Sequence, residues 1–315
     1  MFPIRIGISQ CLLGDEVRFD GGHKREPFLT ETLGRFVEWV PVCPEVEVGM
    51  GIPREPVHLV GTPSAPKMVT VTTKVDYTRA MERFSHRRLG ELADLDLCGY
   101  VFKKDSPSCG MERVRLFDAQ GTPVRTGIGL FARAFMERFP LIPVEEEGRL
   151  KDPHLRENFV ERVFAYHRWR ALLDRPITRG SVVRFHTRHK FQILAHSRPH
   201  YQQLGQVVAD ARRKTPRDLA ERYGPLFMEA LKVKATARKH VNVLQHLAAC
   251  CNASLSAVEQ DELRSAIDDY HKGLTPLIVP MTLIKHHVRR FQVSYLANQI
   301  YLNPHPKELM LRNHG

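Results

Sequence analysis

Three cysteines in the first half of the chain each lie zero to six residues beyond an apolar, strand-like run. They are Cys11, Cys43 and Cys109, and the runs before them are residues 4–9, 37–42 and 99–102. Because the carboxyl ends of parallel strands meet at one edge of a sheet, we expect the three thiols to converge. Thiolates without histidine partners suit an iron–sulfur cluster, and three ligands would leave one iron open to substrate. The alternative is that these cysteines only pack in the core.

The segments around these cysteines alternate strand-like and helical patterns, which predicts a mostly parallel, Rossmann-like sheet covered on both faces. Helices are expected at residues 28–36, 78–92 and 128–139, and further strands at residues 67–75 and 141–144. Gly127-Ile-Gly-Leu-Phe-Ala132 is similar to a dinucleotide fingerprint. The residues before it make a poor strand, so no nicotinamide cofactor is expected. This α/β domain should span residues 1–150.

From Asp152 onward the pattern is helical, so residues 151–315 are expected to form an all-α domain. The capping signals are Thr215-Pro216, Ser256 with Glu259, and Gly273. Gly224-Pro225 is expected to interrupt a helix, and residues 281–301 to form the last one.

The formal net charge of +12 is confined to the second half. Residues 1–150 contain 20 Lys+Arg and 21 Asp+Glu, whereas residues 151–315 contain 27 and 14, together with thirteen of the sixteen histidines. Six cysteines without a secretory signal predict a cytoplasmic location. No apolar run approaches the ~18 residues that a membrane span needs, so no membrane partner is expected.

Three basic clusters of the second half are expected to lie on helices and to neutralise phosphates, which predicts nucleic-acid binding. The candidate RNA-binding residues are Arg188, His189, Lys190, Lys232, Lys239, His240, Lys285, His286, Arg289 and Arg290. Phe191 or Tyr201 is suited to stacking a base. In the first half, Lys24 in a turn and Lys104 are candidates for phosphate contacts. The alternative is a set of solvated helix faces.

Four blocks of the first half resemble the signature blocks of the thiouracil desulfidase family. They are Ile8-Ser-Gln-Cys-Leu-Leu-Gly14, Val17-Arg-Phe-Asp-Gly-Gly-His-Lys24, Val42-Cys-Pro-Glu-Val-Glu-Val-Gly49 and Lys104-Asp-Ser-Pro-Ser-Cys-Gly110. The resemblance implies a [4Fe-4S] cluster held by Cys11, Cys43 and Cys109, with the substrate's sulfur on the fourth iron. It also implies a catalytic serine in the last block, where Ser106 and Ser108 are equal candidates.

Glu45 lies two residues after Cys43, behind the kink at Pro44, and is the candidate general base and acid. Iron coordination of a thiocarbonyl sulfur would make the adjacent carbon electrophilic. Water would then replace the sulfur, and hydrosulfide would leave without net redox change. The alternative is that Glu45 is a surface carboxylate.

The second half resembles the YbgA-type helical domain. The blocks are Phe185-His-Thr-Arg-His-Lys-Phe-Gln-Ile-Leu-Ala-His-Ser197, His240-Val-Asn-Val-Leu-Gln-His246 and Tyr301-Leu-Asn-Pro-His-Pro-Lys307. Fused to a desulfidase domain, such a region implies tRNA carrying 4-thiouridine as the substrate. Two alternatives stay open, which are a desulfidase of free thiouracil or thiouridine nucleotides, and a nucleic-acid-binding protein with a structural metal and no catalysis. The sequence does not indicate an oligomeric state.

Overall fold

Among residues 3–313, which this computed structural model describes, eight strands form two four-stranded sheets. The strands are β1 (Arg5–Ser9), β2 (Glu38–Val42), β3 (Val57–Thr62), β4 (Ala65–Thr70), β5 (Leu97–Phe102), β6 (Val114–Phe117), β7 (Pro123–Gly127) and β8 (Val144–Glu146). All of them lie in the first of two compact units, which meet in the chain after Asp152.

The first sheet is entirely parallel, with the strand order β2-β1-β5-β8. All six residues of β5 are buried, so both faces of the sheet are covered at this strand. Tyr100 and Phe102 of β5 pack on Phe131 and Phe135. These two phenylalanines belong to the third of three helices, α1 (Pro44–Glu47), α2 (Thr78–Ala93) and α3 (Leu130–Arg138). The expected parallel α/β arrangement is confirmed.

The second sheet was not predicted. Its order is β4-β3-β6-β7, and only the β3–β6 pair is parallel. The strand expected at residues 67–75 ends at Thr70, and the chain reverses through Lys74, whose φ is +58°. The prediction that residues 121–127 make a poor strand was wrong, because β7 runs there. Only Gly127 of β7 is buried, so the strand lacks the apolar alternation from which a strand is recognised.

Residues 28–36 do not form the single helix that was predicted. A π-helical turn, Phe28–Thr32, is followed by a 3₁₀ turn, Leu33–Arg35. Two threonines and a glycine lower the helix propensity of this segment. The last strand is also displaced from its predicted place, from residues 141–144 to β8.

The second unit is helical, with no strand among residues 153–313, as predicted. Its helices are α4 (Pro153–Leu173), α5 (Arg179–His196), α6 (Arg198–Ala209), α7 (Pro216–Lys232), α8 (Ala237–Cys251), α9 (Ala257–His271), α10 (Ile278–Arg290) and α11 (Ser294–Ala297). In the part of the chain that is described, no helix has the length and apolar character to cross a membrane.

Helix caps follow the predicted signals, but two predicted helix boundaries were wrong. Thr215 caps α7, Ser256 and Glu259 form a capping box, and Gly273 adopts a φ of +74° after α9. However, α7 continues through Pro225, because its buried side chains on either side of the proline pack into the core of the unit. The last long helix ends at Arg290 instead of residue 301, since Gln292 takes a left-handed φ of +50°.

Candidate active site

A cavity of about 340 Å³ lies at the carboxyl ends of β1, β2 and β5, which are neighbours in the parallel sheet. Ser9 pairs in register with Val42, so the segments that follow β1 and β2 leave the sheet side by side. The structure brings Cys11, Cys43 and Cys109 to the wall of this one cavity. The convergence of three segments distant in sequence is therefore a direct consequence of the strand order.

The three thiols are largely removed from water. Cys11 is 8% exposed and Cys109 is 5% exposed, while Cys43 is partly buried. Burial raises the pKa of the Cys11 thiol to about 11, with a further upward contribution from Cys43. Burial likewise raises the pKa of Cys43 and of Cys109. Because a buried thiolate needs a positive partner, this all-sulfur donor set favours a metal centre that binds thiolates.

Among residues 3–313, no three His, Cys, Asp or Glu side chains are arranged to hold a single metal ion. The three thiols thus share a cavity without forming a mononuclear site. In a multi-iron cluster each cysteine binds a different iron, so its sulfurs stand farther apart than those around one ion. Three thiols at one cavity are the donor chemistry that iron–sulfur clusters use.

Glu45 lies at the same cavity, in the first turn of α1 directly after Cys43. The Ser108 hydroxyl donates to Glu45 Oε1 at 2.7 Å, and the Ser106 and Ser108 oxygens are 3.0 Å apart. Ser106 Oγ also accepts from the backbone N–H of Cys109 at 3.1 Å. Ser106 therefore shapes the loop around Cys109, whereas Ser108 contacts the candidate base directly.

Arg54 is a site residue that sequence reasoning missed. Its Nη2 donates to Glu45 Oε2 at 2.6 Å, and its Nη1 donates to the carbonyl oxygens of Val17 and Gly51. The Arg54 side chain is only 4% exposed. This ion pair balances the charge of Glu45 and leaves its second carboxylate oxygen to Ser108. No motif in the sequence marks Arg54, because the loop geometry alone brings it to Glu45.

The lysines near the cavity have different surroundings. Lys103 is not free for phosphate, since its Nζ lies 2.6 Å from Glu147 Oε1. Lys104 lines the cavity, is exposed and lies 3.7 Å from Asp105. Lys24 is exposed outside the cavity lining, and its backbone N–H donates to the Cys11 carbonyl. Of the two predicted phosphate contacts, only Lys104 faces the cavity.

The glycine fingerprint holds the loop of residues 103–110, called here the cysteine loop. Gly129 donates its N–H to Gly110 O, and a Cβ at Gly129 would lie 2.5 Å from the carbonyl carbon of Ser108. The start of α3 adds two further backbone bonds to the loop, from Leu130 and Ala132. The absence of a side chain at Gly129 thus permits close packing of α3 on the cysteine loop.

Most of the candidate RNA-binding residues of the second unit reach the surface. Arg188, Lys232, His286, Arg289 and Arg290 are exposed, and Lys190, Lys239 and Lys285 are partly buried. Lys232 pairs with Glu229, Arg290 with Glu259, and the Lys239 ammonium caps the carbonyls of His196 and Lys234. The cluster at residues 232–240 was wrongly placed on one helix, because α7 ends at Lys232 and α8 begins at Ala237.

His189 and His240 are corrections to the predicted RNA-binding set, because both are buried. His189 is 2% exposed and its Nδ1 lies 2.7 Å from Phe185 O. His240 is 7% exposed and its Nδ1 lies 2.9 Å from the Tyr301 hydroxyl. Burial lowers the pKa of both imidazoles, so neither carries a charge for phosphate at neutral pH. Phe191, 6% exposed, is also too buried to present a free face.

Two family models match the chain. The 2-thiouracil desulfurase model matches residues 6–147, and a family described as a protein of unknown function (DUF1722) matches residues 190–306. The chain is 33% identical over 155 residues to the uncharacterized protein YbgA of Escherichia coli (strain K12), covering 49% of this chain and 92% of that one. It is 29% identical over 112 residues to the uncharacterized protein YbbK of Bacillus subtilis (strain 168), covering 33% and 71%. Among solved structures, the [4Fe-4S]-dependent thiouracil desulfidase TudS is similar, with 28% identity, a TM-score of 0.39 and coverage of 47% and 94%.

Proposed function

Because the chain belongs to the YbgA-type family and carries a 2-thiouracil desulfurase domain before the helical one, we propose that it is a desulfidase of thiolated pyrimidines. The substrate we infer is 4-thiouridine in tRNA, and the cofactor is a [4Fe-4S] cluster held by Cys11, Cys43 and Cys109. One observation carries the proposal. The three thiols, Glu45 and both candidate serines line a single cavity.

The cluster would supply a thiophilic iron without a protein ligand, which polarises the thiocarbonyl of a bound base. The remaining chemistry falls to the side chains of the chain. Overall, water exchanges its oxygen for the sulfur of the base, the sulfur leaves as hydrosulfide, and no electrons are consumed.

We assign to Glu45 the proton of the attacking water, because its carboxylate lies at the cavity. One carboxylate oxygen accepts from Ser108 and the other from Arg54. Arg54 balances the charge of Glu45 and holds its orientation. Ser108 is the stronger candidate for the catalytic serine, because it is the hydroxyl bonded to Glu45. Ser106, bonded to Ser108 and to the backbone of Cys109, acts as a positioning residue.

The tRNA part of the proposal depends on the second unit. The Lys+Arg excess of the chain lies in residues 151–315, and Arg188 and Arg289 are exposed cations on α5 and α10. Extrusion of the base from a tRNA stack costs a few kcal/mol, which phosphate contacts offset. Free thiouracil is the second candidate substrate, since the matching family model is described as 2-thiouracil desulfurase. A cavity of about 340 Å³ also suits a single base.

The deciding experiment compares the two substrates on one preparation of the anaerobically purified chain. We expect sulfide release from tRNA carrying 4-thiouridine with a much higher kcat/KM than from free thiouracil. The double charge reversal Arg188→Glu with Arg289→Glu should weaken the tRNA reaction and leave the free base reaction unchanged. Sulfide release from the free base alone would contradict the tRNA proposal. Sulfide release from neither substrate would contradict the whole proposal.

A further inference from the structure

The helical unit contains a cavity of its own, with a volume of about 530 Å³. Side chains of α5, α6, α8 and α11 line it, and the described residues among them include no Asp or Glu. Two cations, Lys190 and Arg198, stand on its wall together with the tyrosines Tyr201 and Tyr295. An open cavity with cations, aromatic rings and no carboxylate favours an anionic ligand that has a flat, apolar part.

Lys190 is the best-defined cation of this cavity. Its Nζ lies 4.9 Å from the ring centroid of Tyr295 and 5.2 Å from that of Phe191. Ring faces hold a cation in place without supplying an opposite charge, so Lys190 contributes a cation to the cavity wall. Arg198 adds a second positive charge in the first turn of α6.

The two tyrosines supply the stacking surface. Tyr295 is 38% exposed, one of the few large aromatic side chains at the surface, and Tyr201 is partly buried. The exposed amide of Asn242, on α8, completes the wall with a group that can pair with the edge of a base. A site for phosphate alone would need only the two cations. The tyrosines and the amide are the groups that recognise a nucleobase.

We propose that this cavity binds one unpaired nucleotide of an RNA, with the base on Tyr201 or Tyr295 and its phosphate on Lys190 and Arg198. The inference rests on the proposed function, in which the helical unit holds tRNA, and assigns to that unit a defined nucleotide site. We assign the bound nucleotide to a site other than the reacting one, because the two cavities share no lining residue.

Binding of an unmodified tRNA transcript by the full chain tests the site, since no sulfur chemistry intervenes. Replacement of the stacking tyrosine, by Tyr201→Ala or by Tyr295→Ala, should weaken the affinity by about tenfold, and the phenylalanine variant at the same position should retain it. Lys190→Ala should lower the slope of log affinity against log salt by about one. Lys272→Ala, which removes an exposed charge after α9, is the matched control and should leave both quantities nearly unchanged. Wild-type affinity in both Tyr201→Ala and Tyr295→Ala overturns the proposal.

Cys250 provides a second readout that needs no variant, because this exposed thiol lines the same cavity. Bound tRNA should slow the alkylation of Cys250 in the wild-type chain, as measured by mass spectrometry of its peptide.

Protection by uridine monophosphate but not by tRNA would identify a site for free nucleotides and overturn the RNA assignment. If tRNA binds and Cys250 stays fully reactive, the cavity proposal fails while the proposed function stands. If tRNA does not bind at all, both fail.

Discussion

The two units of this chain differ in where the residues of their family blocks lie. In the α/β unit, residues of the family blocks such as Cys43, Glu45 and Ser108 face a cavity. In the helical unit, most histidines of the family blocks turn inward, as His189 does, but His246 is exposed and lines the cavity of that unit. Strand ends fix where the next side chain goes, whereas a helix presents a residue to core or solvent according to its packing. After a strand a motif therefore marks the site, whereas along a helix it combines core residues with cavity residues.

Among the inward histidines, His240 belongs to a buried polar network, since its Nδ1 lies 2.9 Å from the Tyr301 hydroxyl. Arg312 donates to Glu157 at 2.9 Å and to Tyr301 O at 2.7 Å. Gln192 donates to Glu161 at 2.9 Å in the same unit. Removing one partner of such a network leaves a buried group unsatisfied, so these residues hold the unit together instead of binding a ligand.

The largest effect should come from removing one of the proposed cluster ligands of the α/β unit. Cys109→Ser should lose iron and desulfidase activity, because three thiols are the minimum that holds the cluster while leaving one iron open. Iron and sulfide analysis of anaerobically reconstituted protein measures the change. Cys250→Ser, in the helical unit, is the matched control and should retain full iron content. A Cys109→Ser protein with wild-type iron and activity would refute the ligand assignment.

Glu45→Gln should lower kcat on thiolated substrate by roughly 10²–10⁴-fold, since a positioned general base contributes that much. Its iron content should be unchanged, because Glu45 is not a ligand in our proposal. Glu38→Gln serves as the control, as Glu38 lies at the opposite end of β2 in an exposed pair with Arg5. An equal rate for Glu45→Gln and Glu38→Gln would remove Glu45 from the mechanism.

A pair of glycine substitutions separates the roles of the two units. Gly129→Ala would place a Cβ 2.5 Å from the Ser108 backbone, and Gly224→Ala would place one 2.7 Å from Trp169 Nε1. Each should destabilise its own unit by roughly 1–3 kcal/mol through overpacking. Only Gly129→Ala should also reduce turnover of free thiouracil, because it displaces the cysteine loop. Urea titrations and initial rates on both variants decide this, and equal loss of turnover would contradict it.

The smallest predicted effect is a difference in acid sensitivity. Burial, with Lys190 as a second cause, lowers the pKa of His186 to about 4, and burial with Arg312 lowers those of His240 to about 3 and His305 to about 4. Folded imidazoles stay neutral while unfolded ones bind protons below their usual pKa. The stabilisation is therefore complete at pH 7 and falls as the pH drops, by about 2 kcal/mol per histidine at pH 5.

In the α/β unit, burial lowers the pKa of one imidazole, His58, and raises the pKa of Glu47 and Glu146. The two carboxyls bind protons more readily when folded, so they oppose the loss of stability at low pH. The chain contains two tryptophans, Trp39 in β2 and Trp169 in α4. Tryptophan fluorescence during urea unfolding, measured at pH 7 and at pH 5, reports one unit at a time. The Trp39→Phe variant keeps Trp169 and reports the helical unit, and the Trp169→Phe variant keeps Trp39 and reports the α/β unit. A shift at Trp169 no greater than that at Trp39 would contradict the prediction.

The cysteine-bearing strands and most helices could be predicted because their signals are local. Apolar runs precede Cys11 and Cys43. The side chains of Thr215 and Ser256 accept hydrogen bonds from backbone N–H groups in the first turn of their helices. What failed depends on distant contacts. Arg54 meets Glu45 only in the folded loop, and β7 is formed by pairing with β6. The roles of the site residues stay predictions, since the geometry places them without testing them.

The strand order of the parallel sheet also bears on how a cofactor reaches the protein. Cys11, Cys43 and Cys109 are 32 and 66 residues apart in sequence and meet only after β1 has paired with both β2 and β5. In our proposal, a cluster held by these three thiols would therefore bind a chain whose parallel sheet has already formed. In this respect the protein differs from a zinc finger, whose chain folds around the arriving metal.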